Sequence, residues 1–342
     1  MPGMPRLAPI PTKLPPSANG NPSLGSGSRV TAAERNADGQ FVTLEPQSGR
    51  IMSRQNDDKP LRLLAAQRQL YDDAKRIHNF RTSLIIAGGI VGAALSITLP
   101  SARQALGVSV ALTLLFVSIL GSAREKRKTK QAASVQEEFD TYVFGLPWNA
   151  TLADRPSTAV IAEAAERHRP RNLRDWYSDT EDLPYPLDVL VSQRSNLAWG
   201  VSDQRRWSAA LAGFAILTLS LASIACALIG LSFTDSVTAI FAPLIPAIKE
   251  VFEMWRASTE SVKMKEATEA RIAQIWETSL RQKKPPKLTT CRELQDQMCT
   301  IRQVNAAIPS WFYWFLRDKN EKVMRVSVAD YVAEARQQGL TS

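Results

Sequence analysis

The sequence predicts an all-α integral membrane protein, with four transmembrane helices in two hairpins and helical cytoplasmic domains. Three observations predict it. The chain has 42 Lys+Arg and 33 Asp+Glu, yet residues 82–122 carry Arg103 as their one charge and residues 208–248 carry Asp235 as theirs. Each of these blocks is divided by a short turn-like segment, 100–105 and 234–236, so each supplies two apolar runs. The segment between the blocks has no β alternation and reads as helical throughout. A mean hydropathy of −0.17 and a formal net charge of +9 would suit a basic soluble protein. The placement of the charges excludes a wholly soluble one.

Residues 1–57 read as a disordered leader, rich in Pro, Gly, Ser and Asn, with too little apolar side chain to offset its ordering entropy. It lacks the continuous apolar core of a secretory signal. Residues 58–81 read as a cytoplasmic helix with a partial stripe of Leu61, Leu64, Tyr71 and Ile77. The first transmembrane hairpin follows at 82–122. Its outer ends are basic, with Lys75, Arg76 and Arg81 before it and Arg124, Lys126, Arg127, Lys128 and Lys130 after it. Positive flanks place both ends, and therefore both chain termini, on the cytoplasmic side.

Residues 123–207 form a cytoplasmic helical domain with helices over 131–144, 157–168 and 187–207, broken by Gly145 to Asn149 and by a loop around Asp175. The second hairpin occupies 208–255. Its return run, 237–248, covers roughly 18 Å of helix, against roughly 30 Å of hydrocarbon. It must include Lys249, Glu250 and Glu253, or break at Pro243 and Pro246. Either choice puts polar groups at membrane depth, where they need protein or water partners. These three side chains line a conducting path or its gate, or else Lys249 snorkels and the helix simply continues as a stalk. The cytoplasmic tail, 256–342, opens on a charged helix that ends at Pro285-Pro286. Thr290 and Glu293 have the spacing of a capping box for the next helix, and a last helix covers 328–338.

Gly88, Gly92 and Ser96 repeat small residues at the spacing that lets helices approach closely, within one bundle or between protomers. Motifs for phosphate-binding loops, zinc proteases and serine hydrolases are absent. Three cysteines and two histidines supply neither a zinc spacing nor a triad, so no enzyme, cofactor or metal is expected. Trp148, Asn149, Trp176, Tyr177, Arg194, Asn196, Trp199, Arg205 and Arg206 combine aromatic and cationic side chains that can stack bases and contact phosphates. Residue type alone favours the plainer account: core aromatics of a helical domain, and arginines anchored at the membrane surface.

Taken together, several short motifs resemble the SMODS-associating four-transmembrane effector family. They are Gln136-Glu137-Glu138-Phe139-Asp140, Leu146-Pro147-Trp148-Asn149, Asp175-Trp176-Tyr177 and Gln193-Arg194-Ser195-Asn196 ahead of Arg205-Arg206. In the tail they are Cys291-Arg292, Gln295-Asp296 and Arg302, then Pro309 with Tyr313, Arg317 and Glu321. Their order around two apolar hairpins agrees from about residue 58 to 335. The resemblance implies a non-enzymatic antiphage effector of the bacterial inner membrane that disrupts the membrane or forms a pore. It also implies a homo-oligomer, and a cyclic oligonucleotide signal made by a neighbouring nucleotidyltransferase. The matching positions Trp148, Asn149, Asp175, Trp176, Tyr177, Gln193, Arg194, Asn196, Arg205, Arg206, Gln295, Asp296, Arg302, Tyr313 and Arg317 would then sense it. The balanced charge of 123–207 is not that of a DNA- or RNA-polymer binder. The alternatives are a non-conducting membrane scaffold and, less so, a membrane enzyme.

Overall fold

A computed structural model describes residues 33–35, 41–43, 50–169, 172–180, 182–198, 201–305, 308–309, 312 and 328–341. The expected sensing residues Tyr313 and Arg317, and Trp199 of the aromatic and cationic set, lie outside the described residues. Residues 1–46 form one unit and 47–342 another. In the first, strands β1 (Ala33–Arg35) and β2 (Phe41–Thr43) pair antiparallel with Glu34 opposite Val42. This ribbon falls within the segment read as a disordered leader.

The second unit begins earlier than the expected boundary at residue 58. Helix α1 (Arg50–Gln55) buries Ile51 and clamps a distant loop with Gln55. The Gln55 amide donates to the Tyr177 carbonyl at 3.3 Å and accepts from the Tyr177 amide at 2.8 Å. A single short side chain thus replaces two backbone partners that water would otherwise supply.

Helices α2 (Asp58–Thr98) and α3 (Arg103–Phe144) run antiparallel and pack along their length. At 1.5 Å per residue each is about 60 Å long, twice the hydrocarbon thickness. Each therefore continues from its apolar run into a polar head without interruption. Gly88 and Gly92 face α3: a Cβ on them would lie 2.9 Å from Leu114 Cδ2 and 2.6 Å from Val110 Cγ1. The small-residue spacing is spent inside the chain, and the buried Ser96 hydroxyl returns a bond to the Gly92 carbonyl at 2.9 Å. The left-handed Gly145 (φ 67°) ends α3, as its position after the helical pattern implies.

Helix α4 (Thr158–Arg167) is capped by Ser157, whose hydroxyl accepts from the Val160 amide. Helices α5 (Leu187–Ala198) and α6 (Val201–Ile229) lead down the second apolar block. Asp58–Thr98, Arg103–Phe144 and Leu187–Ile229 are long and apolar enough to cross a membrane. The fourth segment falls short of that, as its length in sequence implies. It is built as α7 (Phe233–Ser236), a π-turn at Val237–Phe241 and α8 (Ala242–Gln282).

That segment does not break at its prolines; α8 runs through Pro246. The strain is absorbed just before, where the Ala242 amide bonds the Val237 carbonyl five residues back. In this register Thr238 would receive its bond from residue 243, and proline has no N–H to give. The bare backbone of Gly107 in α3 packs against that Thr238 carbonyl, and a Cβ there would collide with it. Gly89 does the same for Pro243, with its would-be Cβ 2.9 Å from the carbonyl oxygen. The lone charges of the two apolar blocks also meet: Arg103 Nη1 lies 3.3 Å from Asp235 Oδ2, tying the two turns together.

Lysine at position 283 (φ 51°) ends α8, and α9 (Leu288–Val304) follows. The expected capping box does not form. The helix starts ahead of Thr290, and Glu293 reaches instead across to Arg271 on α8. The head buries one core, with Leu63, Leu64, Phe139, Phe144, Leu187, Leu190, Ile272, Leu294 and Met298 among it. Residues 328–337 form a further helix against this core through Val328 and Ala335. In the apolar half the outward side chains are Ile90, Val91, Phe116, Leu120, Ile216, Leu221, Ile224 and Leu228. Such a surface is at home in lipid and costly in water.

Candidate functional site

Two buried polar clusters stand out, and both sit on α3. The upper one fills the centre of the head. On α3, Glu137 and Asp140 lie one turn apart and are fully enclosed. On α9, Arg292, Gln295 and Arg302 share the face that meets them. Arg292 Nη2 pairs with Glu137 at 2.5 Å, and Arg302 Nη1 lies 2.6 Å from Asp140 Oδ2. The Gln295 amide donates to both carboxylates, at 2.9 Å each. Tyr177 donates to Asp140 Oδ1 at 2.6 Å and accepts from Asn196 at 3.2 Å. Gln193 donates to Gln295 at 3.1 Å and to the Cys291 carbonyl at 2.9 Å. Asn149 donates to Asp296, which Arg292 also grips.

Two carboxylates therefore face two guanidiniums, a balance that buried charge requires. Burial disfavours the Arg302 cation, but Asp140, Tyr177, Glu137 and Tyr71 outweigh it and hold its pKa above the ordinary value. Burial lifts the Glu137 carboxyl above its usual range even against the two arginines. Burial and the Asp140 charge push the Tyr177 phenol well up, keeping it a hydrogen-bond donor. The network is not saturated: Arg302 Nη2 and Gln193 Oε1 are buried without a hydrogen bond.

Of the residues expected to sense a ligand, this cluster gathers Asn149, Tyr177, Gln193, Asn196, Gln295, Asp296 and Arg302. The other described members lie elsewhere. Trp148 donates its indole N–H to the Ala153 carbonyl and stacks under Arg155. Trp176 lies under Arg68 with its edge on Phe139. Asp175, in the left-handed region (φ 56°), exchanges two hydrogen bonds with Asn56. Arg194 bridges Glu269 and the Tyr331 ring, Arg205 pairs with Glu266, and Arg206 is exposed. The structure thus brings together the amides, Tyr177, Asp296 and Arg302, and leaves both tryptophans, Asp175, Arg194, Arg205 and Arg206 apart from them.

Just beside this cluster Lys265 of α8 is buried with few partners. Its ammonium donates to Gln204 Oε1 at 2.9 Å, and Gln204 and Ser261 both donate to Asn305. Burial, and secondarily the Arg302 charge, lower its pKa from 10.5 to about 8. The penalty on the folded state is complete below pH 8. It is relieved as pH rises toward 10.5, where the unfolded chain also loses its proton. Lys265→Met is expected to be more stable than the wild type at pH 7, by on the order of 2 kcal/mol. Most of the gap should disappear between pH 8 and pH 10 in thermal unfolding; a gap that stays constant would refute the assignment.

The lower cluster joins α2, α3 and α8 where their apolar runs end. Arg81 of α2 reaches Glu250 of α8 with Nη1 and Glu125 of α3 with Nη2, the latter at 2.8 Å. Ser118 donates to Glu250 at 3.0 Å, and His78 Nδ1 lies 2.9 Å from Glu125 Oε1. Burial pushes the Glu125 carboxyl up, but His78 and Arg81 together bring it below the ordinary carboxylate range. Glu250 is 1% exposed, so it is the inward member of the predicted trio. Lys249 and Glu253 pair with each other at 2.8 Å on the rim. Glu137, Asp140, Arg81 and Glu125 were not singled out as site residues from the sequence. The signal was present as charged and amide side chains at core spacing: Glu137 and Asp140 at i, i+3, and Arg292, Gln295 and Arg302 at i, i+3 and i+10.

Helices that carry an apolar surface at one end and a buried ionic core at the other define an α-helical membrane protein. Residues 49–331 match the model of the SMODS-associating 4TM effector domain, and the chain belongs to that family. It is 25% identical over 296 residues to a Bacillus cereus (strain VD146) protein named as a probable CBASS effector molecule, covering 81% of this chain and 97% of that one. No solved structure matches the chain.

Proposed function

We propose that this protein is an inner-membrane effector of a CBASS antiphage system. A cyclic oligonucleotide made by a neighbouring SMODS nucleotidyltransferase is its signal, and membrane leakage that ends in abortive infection is its output. The helices cross as two hairpins, the head and both termini are cytoplasmic, and several protomers surround the conducting path. The activity is non-enzymatic and needs no cofactor.

One observation carries the reading: α3 holds both clusters on a single uninterrupted helix, Ser118 and Glu125 at the membrane end and Glu137 and Asp140 in the head. A ligand that draws α9 away from Glu137 and Asp140 would shift a rod whose other end sits among the spans. A ligand moves such an equilibrium only by its difference in affinity for the two states. The unsaturated Arg302 and Gln193 atoms supply polar capacity for that difference.

Purified protein in liposomes is expected to release a trapped dye when the right cyclic oligonucleotide is added. Folded protein that releases nothing with any of them would sink the proposal. A non-conducting scaffold makes a different prediction, that Lys249→Leu with Glu250→Leu leaves toxicity unchanged; the present reading expects it to change.

A further inference from the structure

We propose that the path this protein opens conducts small monovalent cations, and that the Arg81 guanidinium is the tethered cation that blocks it. The inference rests on the pore reading above and names what passes. The oxygen atoms at the convergence of α2, α3 and α8 are those of a cation site: two carboxylates, Glu125 and Glu250, and the Ser118 hydroxyl. Arg81 occupies the centre, with its side chain 8% exposed and one nitrogen on each carboxylate.

The seat is shaped for this side chain. The Arg81 stem crosses α3 at Gly121, and a Cβ there would occupy the same space as Arg81 Cδ. The seat also holds its occupant imperfectly, since Arg81 Nε is buried without a partner. Removing the guanidinium leaves Glu125 and Glu250 sharing a site, with His78 beside Glu125 and the Lys249 ammonium 3.5 Å from Ser118 Oγ as the cations that border it. Two like charges at short range in a poorly screened site attract a cation and repel an anion strongly. On the rim Glu253 pairs with Lys249 and holds that ammonium outward, so the rim itself is neutral. The displacement that opens the seat is one of α8, which carries Glu250 and is entered through the irregular π-turn at Val237–Phe241. A shift of α8 draws Glu250 from Arg81 and opens the seat.

The test uses the full chain in proteoliposomes of phosphatidylethanolamine and phosphatidylglycerol, with potassium and chloride efflux read separately. Arg81→Gln is expected to raise potassium leak at least about tenfold over wild type with chloride unchanged. Adding Glu250→Gln should abolish most of the gain. Arg81→Lys keeps the charge but cannot fork across two carboxylates, so it should leak less and with the same dependence on Glu250. It serves in place of Arg81→Gln where that variant is not recovered folded. Equal potassium and chloride leak, or leak indifferent to Glu250→Gln, would overturn the inference and leave the pore reading intact. Silent Arg81 variants, beside potassium loss from infected cells carrying the wild type, would do the same. Silence in both the variants and the infected cells would remove the pore reading itself.

Discussion

Arg302→Met is expected to cost about 3–5 kcal/mol of head stability, as the breaking of a buried ion pair does. That is a large share of what an ordinary domain has to lose. The guanidinium lies 2.6 Å from Asp140 and 3.8 Å from Glu137, both enclosed by α3 and α9. Methionine fills the volume but leaves two carboxylates with Arg292 as their remaining cation, and Arg292 stands at the outer edge beside Asp296. The loss should therefore exceed that of a cavity of the same size. Asp140→Asn added to Arg302→Met removes one stranded charge and should recover more than half the loss. Thermal unfolding of detergent-purified protein, followed through the helix signal, gives both values. A single variant within about 1 kcal/mol of wild type would show that the Arg302 pairing gives the folded head no net support.

The same network explains why its members were legible as a set and not as a structure. Asn149, Gln193, Gln295 and Arg302 stood out by their place in ordered motifs. Nothing local to them says that they are each other's partners, because Glu137 and Arg292 are separated by 155 positions. The pairing is decided by how α9 folds back onto α3. The spans were legible for the opposite reason: a run without charge is a local property, and α2, α3 and α6 lie where those runs are. The fourth segment was legible as a problem, too short without Lys249 and Glu250, but not as a solution. A π-turn ahead of Pro243 and a single inward carboxylate depend on what Gly107, Gly89 and Arg81 present from other helices. The start of the fold was missed because α1 has little more than Ile51 to mark it, and its hold on the loop is an amide, Gln55, that patterns do not record.

Gly107→Ala is expected to destabilise the apolar half by at least about 3 kcal/mol, the upper end of what overpacking costs. The added methyl would fall on the Thr238 carbonyl, which is backbone and cannot rotate away. To admit it, the π-turn must move off α3, and Gly89 must lose its contact with the Pro243 carbonyl on the next turn. Gly213→Ala is the matched control. It sits on α6 with nothing within 4 Å of the new methyl, so it should be neutral or gain up to about 1 kcal/mol from helix propensity. The two substitutions add the same atom to apolar helices, one at a buried contact and one on an outward face, so the comparison isolates the packing contact. A melting temperature lowered for the first and held for the second would locate the constraint in the α3–π-turn contact. Equal temperatures would mean that the fourth segment is free to shift against α3. The hold of Glu250 on Arg81 in the resting protein would then have to come from α8 alone, without support from the turn that precedes it.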